Sequence, residues 1–308
     1  MSPRNLFIAF FLIIILGLNP ISGFSQQVKN VLEAFDALSS DPEIIILTNE
    51  INVHGDGGHF QGVQLIEKNG TEKLLISGSS HSKAYVLQVD LPTRKTERLI
   101  TLMNAPFRHA GGIQVSQQYM AVGIEDNFAK TSSKVCLYNY HNENLVKAQP
   151  NLTIDRKGEP KQQTAGSTGL VALDSDFLMV VSNWDSRNWD FYSIDPKKNA
   201  HKILTIFSAP SDWPSYQSIN LIMDEEAIYA IGFYQKELVG YADLILVSRP
   251  ETFQLIMEKV LTKAFNCKNG VDFGTAAGLQ IDKEGSLHIW GTQRDPLEQI
   301  VLNRFSQQ

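Results

Sequence analysis

The stretch His59-Phe60-Gln61-Gly62-Val63-Gln64-Leu65-Ile66 recurs in degenerate form four more times along the chain. The later copies are HAGGIQ at 109–114, GSTGLV at 166–171, QSINLI at 217–222 and TAAGLQ at 275–280. A small residue, which we call the anchor of its copy, stands at 62, 112, 169, 218 and 278, so successive copies lie 50, 57, 49 and 60 residues apart. Spacings of this size suit a propeller blade of four strands.

Each copy opens the same series of predicted strands. In the first copy, the inner strand is followed by a polar turn at 68–70, an apolar second strand at 74–78, an alternating third strand at 85–90 and a fourth at 98–102. Short runs of this kind, separated by turn residues, are typical of antiparallel sheets. The fifth copy reaches only its third strand, at 300–305.

The segment EIIILTNEI at 43–51 can supply the strand that the fifth copy lacks. It is rich in β-branched residues, and we expect it to pair beside the last strand and close the ring, which removes an exposed sheet edge. The apolar spacing at 28–38 predicts a short helix outside the ring. The sequence therefore predicts an all-β, five-bladed β-propeller with four strands per blade at 43–308, preceded by a helix or linker at 26–42.

Residues 1–25 have the features of a secretory signal peptide. Arg4 is followed by an apolar run at 6–18, and Gly23 and Ser25 suit cleavage before Gln26. The run of about 13 residues is shorter than the roughly 20 that a membrane-spanning helix needs. We therefore expect an exported protein, periplasmic or extracellular, with no stable membrane span after cleavage; an uncleaved anchor is the alternative.

The composition limits the classes of partner. The formal net charge is −6 without a basic stripe, so we do not expect the chain to bind nucleic acid. Cys136 and Cys267 are the two cysteines, and the repeat places them in different blades, which favours two unpaired thiols. We expect a monomer whose partner is a small molecule or a carbohydrate.

The repeat also indicates where a site would lie. In a propeller, the inner strands begin and the second strands end at the same face, where ligand pockets form. His59 and His109 stand three residues before their anchors in adjacent blades, and Glu125 and Asp126 end a second strand nearby. Imidazoles with a neighbouring carboxylate can transfer protons or bind a divalent metal. The alternative is that these histidines only hydrogen-bond the neighbouring backbone.

Further candidates come from the same two sets of positions. We expect Asp185 to be another orienting carboxylate, and Tyr234 and Arg294 to stabilise developing negative charge. The candidate ligand-binding residues carry amide, hydroxyl or aromatic groups at this face: Gln61, Thr168, Trp184, Trp213, Tyr216, Gln217 and Thr275. Among the tryptophans, we expect Trp189 and Trp290 in the core, and Trp184 and Trp213 exposed.

An amide recurs two residues after four of the five anchors, at Gln64, Gln114, Asn220 and Gln280. Buried amides need hydrogen-bond partners, so these side chains are predicted to tie the inner strands of the blades together. The alternative is a polar axial channel that holds water or an ion.

The repeat resembles β-propellers in general, over about residues 43–308. The five-fold count is similar to that of furanosidase-type glycoside hydrolases, which place acidic residues at the starts of their early inner strands. The matching positions here carry His59 and His109, so the resemblance does not imply cleavage by two carboxylates. The histidine arrangement is more similar to that of propeller lyases and lactonases. This resemblance implies a reaction that uses the histidines, in some of these enzymes with a divalent cation.

Two functions are compatible with these residues. One is a hydrolase or lyase that uses the histidines on a carbohydrate or small organic molecule. The other is a non-catalytic module that binds a protein or a glycan at the same face. The separation of the two imidazoles discriminates between them, because acid–base chemistry requires the rings to lie close together with a carboxylate within hydrogen-bond reach.

Overall fold

The computed structural model describes residues 28–68, 70–140, 149–249 and 253–308. Within these residues, twenty strands form five groups of four, each strand antiparallel to the next in its group. The groups are the blades of an all-β propeller, as the repeat predicts.

Four of the blades run in chain order. Blade one contains β2 (His59–Lys68), β3 (Thr71–Ser79), β4 (Lys83–Asp90) and β5 (Lys95–Asn104). Blade two contains β6 (Phe107–Ser116), β7 (Tyr119–Asp126), β8 (Ser132–Asn139) and β9 (Leu152–Lys157). Blade three contains β10 (Ser167–Ala172), β11 (Phe177–Ser182), β12 (Asn188–Asp195) and β13 (Ala200–Ser208). Blade four contains β14 (Ser218–Met223), β15 (Ile228–Lys236), β16 (Val239–Ser248) and β17 (Glu258–Phe265).

Blade five is built from both ends of the described chain. It contains β18 (Val271–Ile281), β19 (Leu287–Gln293), β20 (Gln299–Ser306) and β1 (Glu43–Thr48), which pairs antiparallel with β20. The predicted closing strand is therefore confirmed. It ends before residue 51 because Asn49 turns the chain: its backbone N–H donates to Glu298 (2.7 Å), and its side-chain oxygen accepts from Ile51 (3.1 Å).

A short helix precedes the closing strand. α1 (Val31–Asp36) begins at Asn30, whose side-chain oxygen accepts the backbone N–H of Glu33 at 3.1 Å, an N-cap that satisfies one free donor of the first turn. Val31 and Phe35 are fully buried against blades four and five. The predicted helix is thus present, although shorter than the 28–38 expected.

Apolar side chains fill the spaces between adjacent blades. Five clusters lie at the five blade interfaces of the described chain, and Trp189 and Trp290 are fully buried in two of them, as predicted. Trp184 and Trp213 are half-buried rather than exposed. Trp213 packs edge-on against Trp189, with 6.1 Å between ring centroids, and Lys130 covers Trp184.

The recurring amides tie the inner strands together across the axis. Gln114 accepts the backbone N–H groups of Leu170 (2.8 Å) and Leu221 (2.7 Å), which belong to blades three and four. Gln64 and Asn220 make similar bonds to neighbouring inner strands and are buried. Gln280 differs, because it accepts from the indole of Trp290 within its own blade. These bonds favour the structural role for Gln64, Gln114 and Asn220 over a polar channel.

Glycines let the inner strands approach closely, which predicts a stability effect. A Cβ at Gly278 would lie 1.9 Å from the carbonyl oxygen of Val63 on the neighbouring inner strand. We expect Gly278→Ala to destabilise the fold by roughly 3 kcal/mol, because the backbones must separate. Gly166→Ala is the matched control, since its Cβ would meet Asn183 at an ordinary 3.5 Å. Chemical denaturation measures both, and equal stabilities would contradict this packing.

Both cysteines are free and lie in different parts of the ring, as predicted. Cys136 is buried on β8, and Cys267 follows β17. The signal peptide predicted at 1–25 lies outside the described residues. No helix within the described part of the chain is long and apolar enough to cross a membrane.

Candidate functional site

His59 and His109 lie side by side where the first strands of blades one and two begin. Their ring centroids are 5.8 Å apart, and the ring planes are inclined by 53°. Nε2 of His59 lies 2.9 Å from the hydroxyl of Ser79, which ends the second strand of blade one. The equal offset of the two histidines from their anchors therefore brings the imidazoles together, at the face where first strands begin and second strands end. We call this the top face.

Glu125 lies beside His109 because the two residues are directly paired between β6 and β7. Its Oε1 is 3.3 Å from Nδ1 of His109. Its Oε2 accepts the backbone N–H of Ala165, at the entry to blade three, at 2.8 Å. One carboxyl oxygen is thus fixed by the backbone, while the other faces the imidazole. His59, His109 and Glu125 form what we call the histidine–glutamate cluster.

Burial favours the uncharged forms of all three groups. Removal from water raises the pKa of Glu125 to about 7, against the lowering effects of the Ala165 N–H and of Lys130. Burial also lowers the pKa of His109 to about 4, with Lys130 and Arg108 acting in the same direction. The pKa of His59 falls to about 4 through burial and the charge of His109. Near neutral pH, the imidazoles are therefore uncharged and Glu125 holds a proton in a large fraction of molecules.

Access to the cluster is unequal. The side chain of His109 is 12% exposed, whereas that of Glu125 is 2% exposed. A molecule at the top face therefore reaches the imidazole more easily than the carboxyl group. The 3.3 Å contact between the two side chains is not a hydrogen bond in this structure, because Nδ1 of His109 has no hydrogen-bond partner among the described residues.

Three loops from blades two and three surround this pair. Lys130 lies between β7 and β8, and its ammonium is 3.0 Å from the centroid of the Trp184 ring, which follows β11. The backbone carbonyl of Lys130 accepts from Lys161 (2.7 Å), and the N–H of Trp184 donates to the hydroxyl of Thr164 (2.6 Å). These bonds hold the loops in fixed positions next to Glu125.

The turn after β11 is rigid, and it places Asp185 on the surface. Asp185 and Ser186 both adopt left-handed backbone conformations, with φ of 65° and 51°, which non-glycine residues adopt only where the surroundings enforce them. Arg187 donates to the carbonyls of Pro210 and Pro214 and to the backbone carbonyl of Asp185. The carboxylate of Asp185 is exposed, and no contact joins it to the histidines, which does not favour an orienting role.

Two other predicted catalytic residues also lie apart from the imidazoles. Asp126 accepts the backbone N–H groups of Phe128 (3.0 Å) and Ala129 (3.2 Å), so its carboxylate stabilises a turn. Tyr234 is buried and stacked on Tyr241, with 5.3 Å between centroids. Tyr234 lies within β15, which continues to Lys236, and it pairs with Tyr241, so it is a strand residue rather than a residue of the loop that follows.

Arg294 lies closer to the cluster. It is exposed at the turn after β19, and its backbone carbonyl accepts the N–H of Phe60 at 2.8 Å. Its charge contributes to the low pKa of His59. Arg294 therefore remains a candidate for contact with a ligand at the histidines.

Several predicted ligand-binding residues are used by the fold instead. Thr168 is fully buried and donates to the backbone of blade two. Gln217 is half-buried and donates to the buried Gln61 across the axis. Ligand contact by these three residues is not supported, because the inner strands pack against one another where a wider ring would leave a pocket.

The remaining candidates make internal bonds as well. Thr275 is 8% exposed and donates to the carboxylate of Asp272 at 3.0 Å. Tyr216 is buried, and its hydroxyl donates to the fully buried Asp243 at 2.6 Å. Trp213 packs beside Tyr216. Of the seven predicted ligand-binding residues, Trp184 lies best placed, because it is half-buried at the edge of the Lys130 loop.

A groove of about 1160 Å³ lies beside blade five. It is formed by the segment after β1 and the turn between β19 and β20, with Glu50, His54, Arg294 and Glu298 among its polar side chains. Apart from Arg294, the sequence did not predict this groove, because its lining comes from irregular segments without a repeat. Lys130 was missed for the same reason. Among the described residues, no three His, Cys, Asp or Glu side chains converge as metal ligands.

Comparisons with known proteins agree with the fold. No family model matches the chain, and no curated protein matches it in sequence. Among solved structures, the catalytic domain of a Coprinopsis cinerea GH62 α-L-arabinofuranosidase is similar, with a TM-score of 0.54 and 9% identity, over 92% of this chain and 99% of that one. A thermostable family-43 glycoside hydrolase has a TM-score of 0.51 and 11% identity, over 84% and 92%.

A third similar structure is an exo-β-1,3-galactanase from Phanerochaete chrysosporium with galactose. Its TM-score is 0.50 at 6% identity, over 80% of this chain and 60% of that one, so the present chain spans about 60% of that enzyme. At identities this low, the similarity shows the β-propeller fold but not the reaction, which depends on the residues of the site.

Proposed function

We propose that this protein is a hydrolase or lyase that acts on a carbohydrate, with the histidine–glutamate cluster as its acid–base centre. One observation carries the proposal: Nδ1 of His109 lies 3.3 Å from Oε1 of Glu125, beside a second imidazole whose centroid is 5.8 Å away. The rings lie close enough to act on one ligand, and Nδ1 of His109, which has no hydrogen-bond partner among the described residues, is open to the Glu125 proton once a bound ligand shortens the 3.3 Å contact.

Glu125 and His109 act as one proton-holding unit in this proposal. When Glu125 is protonated, it can give its proton to Nδ1 of His109 while the other ring nitrogen releases one to the ligand, so the imidazole stays neutral and Glu125 is left as a carboxylate. Burial keeps the pKa of Glu125 at about 7, which suits a general acid near neutral pH. The N–H of Ala165 holds the other carboxyl oxygen and so fixes the geometry.

His59 supplies the second function, that of a base. Its pKa of about 4 leaves the imidazole uncharged near neutral pH, and the hydroxyl of Ser79 orients the ring. Cleavage of a glycosidic bond needs one group that protonates the leaving oxygen and one that activates water or removes a proton. His109 and His59 can divide these roles, because their rings are adjacent without being hydrogen-bonded to each other.

The carbohydrate class draws on the structural neighbours and on Trp184. The galactanase structure contains galactose, and the arabinofuranosidase is named for its sugar substrate. Trp184 presents an aromatic ring at the loop next to the cluster, and such rings contact the apolar faces of flat or cyclic ligands. The features of residues 1–25 support export, which we include in the proposal.

The groove at blade five favours a second candidate function, glycan binding without catalysis. It has a volume of about 1160 Å³, and its lining does not include either histidine of the cluster. If the groove is the functional site, ligand binding should depend on its residues and not on the imidazoles.

Screening of oligosaccharides with Glu125→Gln as the variant tests the proposal. Reducing-end release reports hydrolysis, and the absorbance of an unsaturated product reports elimination. We expect activity on at least one carbohydrate and a loss of about 100-fold or more in Glu125→Gln, because the amide has no transferable acidic proton. Turnover that is unchanged in the variant, or binding without turnover across the panel, would contradict the proposal.

The pKa values also predict a bell-shaped pH dependence. The acid form of Glu125 is lost as the pH rises through about 7, and the base form of the histidines is lost as it falls through about 4. We therefore expect kcat/KM to be highest between these values. The alkaline limb should disappear in the residual activity of Glu125→Gln, whereas an acid limb near the ordinary histidine pKa of about 6.5 would show that the rings are not desolvated.

A further inference from the structure

Cationic side chains collect around the histidine–glutamate cluster, although the chain as a whole carries a formal charge of −6. Four of them lie on loops or strand ends at the top face, and we call them the cationic rim: Arg108, Lys130, Lys161 and Arg294. They come from blades two and five and from the β9–β10 loop, so no run of basic residues in the sequence reveals them.

Arg294 and Arg108 lie at the two histidines. The backbone of Arg294 is bonded to Phe60, the residue after His59, at 2.8 Å. Arg108 precedes His109, and its Nη1 donates to the carbonyl of His81 at 2.8 Å, which fixes the guanidinium at the edge of blade one.

Lys130 and Lys161 lie on the other side of Glu125. The N–H of Lys161 donates to the carbonyl of Lys130 at 2.7 Å, and both residues adopt left-handed backbone conformations, with φ of 68° and 58°. The two lysines repel, and the pKa of Lys130 is lowered by burial and by this repulsion. Lys130 finds a partial counterpart in the ring of Trp184 at 3.0 Å. The charges of Glu125 and Asp185 raise the pKa of Lys130, but each acts more weakly than the charge of Lys161, so a further anion beside the two lysines would be favoured.

The nearby carboxyl groups do not fully provide that anion. Glu125 is protonated in many molecules near neutral pH because of its raised pKa. Asp126 is engaged by two backbone N–H groups. Asp185 and Asp295 are exposed, and the charge of Asp295 acts less strongly on His59 than that of Arg294. At His109, the charges that act are those of Lys130 and Arg108.

We propose that the ligand of the histidine–glutamate cluster is an anionic carbohydrate, whose carboxylate or sulfate is recognised by the cationic rim. This inference rests on the proposed function, since it names the substrate class of the same site. A negatively charged group near Lys130 and Arg294 would replace the missing counter-charge, whereas a neutral sugar would leave it unpaired. Lys130 and Arg108 are half-buried, and Coulomb attraction to an anionic group is larger there than in bulk water.

Matched oligosaccharides test the proposal by isothermal titration calorimetry. A galacturonate trimer and a sulfated galactose trimer represent the two anionic groups, while the methyl ester of the first and unsulfated galactotriose differ mainly in charge. We expect at least one anionic trimer to bind roughly ten-fold or more tightly than its neutral counterpart, and this preference to shrink as added salt screens the charges. Equal affinities, or no binding of either anionic trimer, would overturn the proposal.

Substitutions in the cationic rim show which residues cause the preference for anionic trimers. Lys130→Gln and Arg294→Gln should each weaken binding of the anionic trimer and leave neutral sugars unaffected. Lys236→Gln is the control, because this exposed lysine lies over Tyr234 and Tyr241 in blade four. An anionic preference that persists in both rim variants would overturn the assignment. So would inorganic sulfate that binds as tightly as a trimer, because no sugar would then be recognised.

Failure of this inference can be distinguished from failure of the proposed function. If neutral oligosaccharides are cleaved as rapidly as anionic ones and Glu125→Gln abolishes both reactions, the anionic class is wrong and the acid–base centre stands. If anionic trimers bind through Lys130 and Arg294 but no carbohydrate is turned over, the rim is correct and the catalytic proposal fails.

Discussion

Replacing His109 with glutamine is expected to lower kcat/KM by about 100-fold or more, the loss typical of a removed general acid or base. Glutamine retains a polar side chain of similar length but cannot pass a proton between two ring nitrogens. It would also leave Glu125 without the partner that now lies 3.3 Å away. Steady-state kinetics on the substrate found by screening measures the loss, with circular dichroism to verify that the variant is folded.

His201→Gln is the control for this prediction. His201 is exposed on β13, the fourth strand of blade three, and lies outside both the cluster and the groove. Its replacement should leave kcat/KM within about two-fold of the original protein, as is usual for surface changes away from the reacting groups. If His109→Gln kept full activity, or if it lost activity only by unfolding, His109 would have a structural role instead.

Replacing Leu47 with aspartate is expected to cause the largest loss of stability. Leu47 is fully buried on β1, where it pairs with Ile300 and packs in the same cluster as Trp290. An unpaired charge at this position would release the closing strand, and we expect a cost of roughly 4 kcal/mol or more. For a domain of this size that corresponds to a fall in Tm of about 10 °C.

Ile46→Asp is the matched control on the same strand. Ile46 is adjacent to Leu47 but points to the opposite side, where its side chain is 46% exposed. Differential scanning calorimetry should show a small shift for this variant beside a large one for Leu47→Asp. Similar shifts in both would mean that β1 does not close the ring through its buried face.

The repeat predicted the fold well because each blade must bury the same pattern of residues. The small anchors, such as Gly62 and Gly278, are needed where inner strands nearly touch, and that requirement is visible in sequence. The pairing of His59 with His109 was predictable for the same reason, since equal offsets in adjacent blades place two residues side by side. The β1 strand was found because a propeller needs its last blade completed.

The other residues of the site could not be placed from the repeat, because their positions depend on strand ends, close packing and irregular loops. Tyr234 was expected at the end of a second strand, but β15 continues for two residues beyond it. Thr168 and Gln61 were expected to face a pocket, but the five inner strands pack so closely that both bond within the ring. Lys130 could not be found from sequence, since its approach to Glu125 depends on the folding of an irregular loop.

Histidine titration by NMR tests the acid–base centre most directly. In protein labelled at the imidazole nitrogens, the account predicts that His59 and His109 remain neutral until the pH falls to about 4. The resonances of His109 should show a further step near pH 7, which reports Glu125 and disappears in Glu125→Gln. Titration of both rings near their ordinary pKa of about 6.5, without a step that depends on Glu125, would contradict the account.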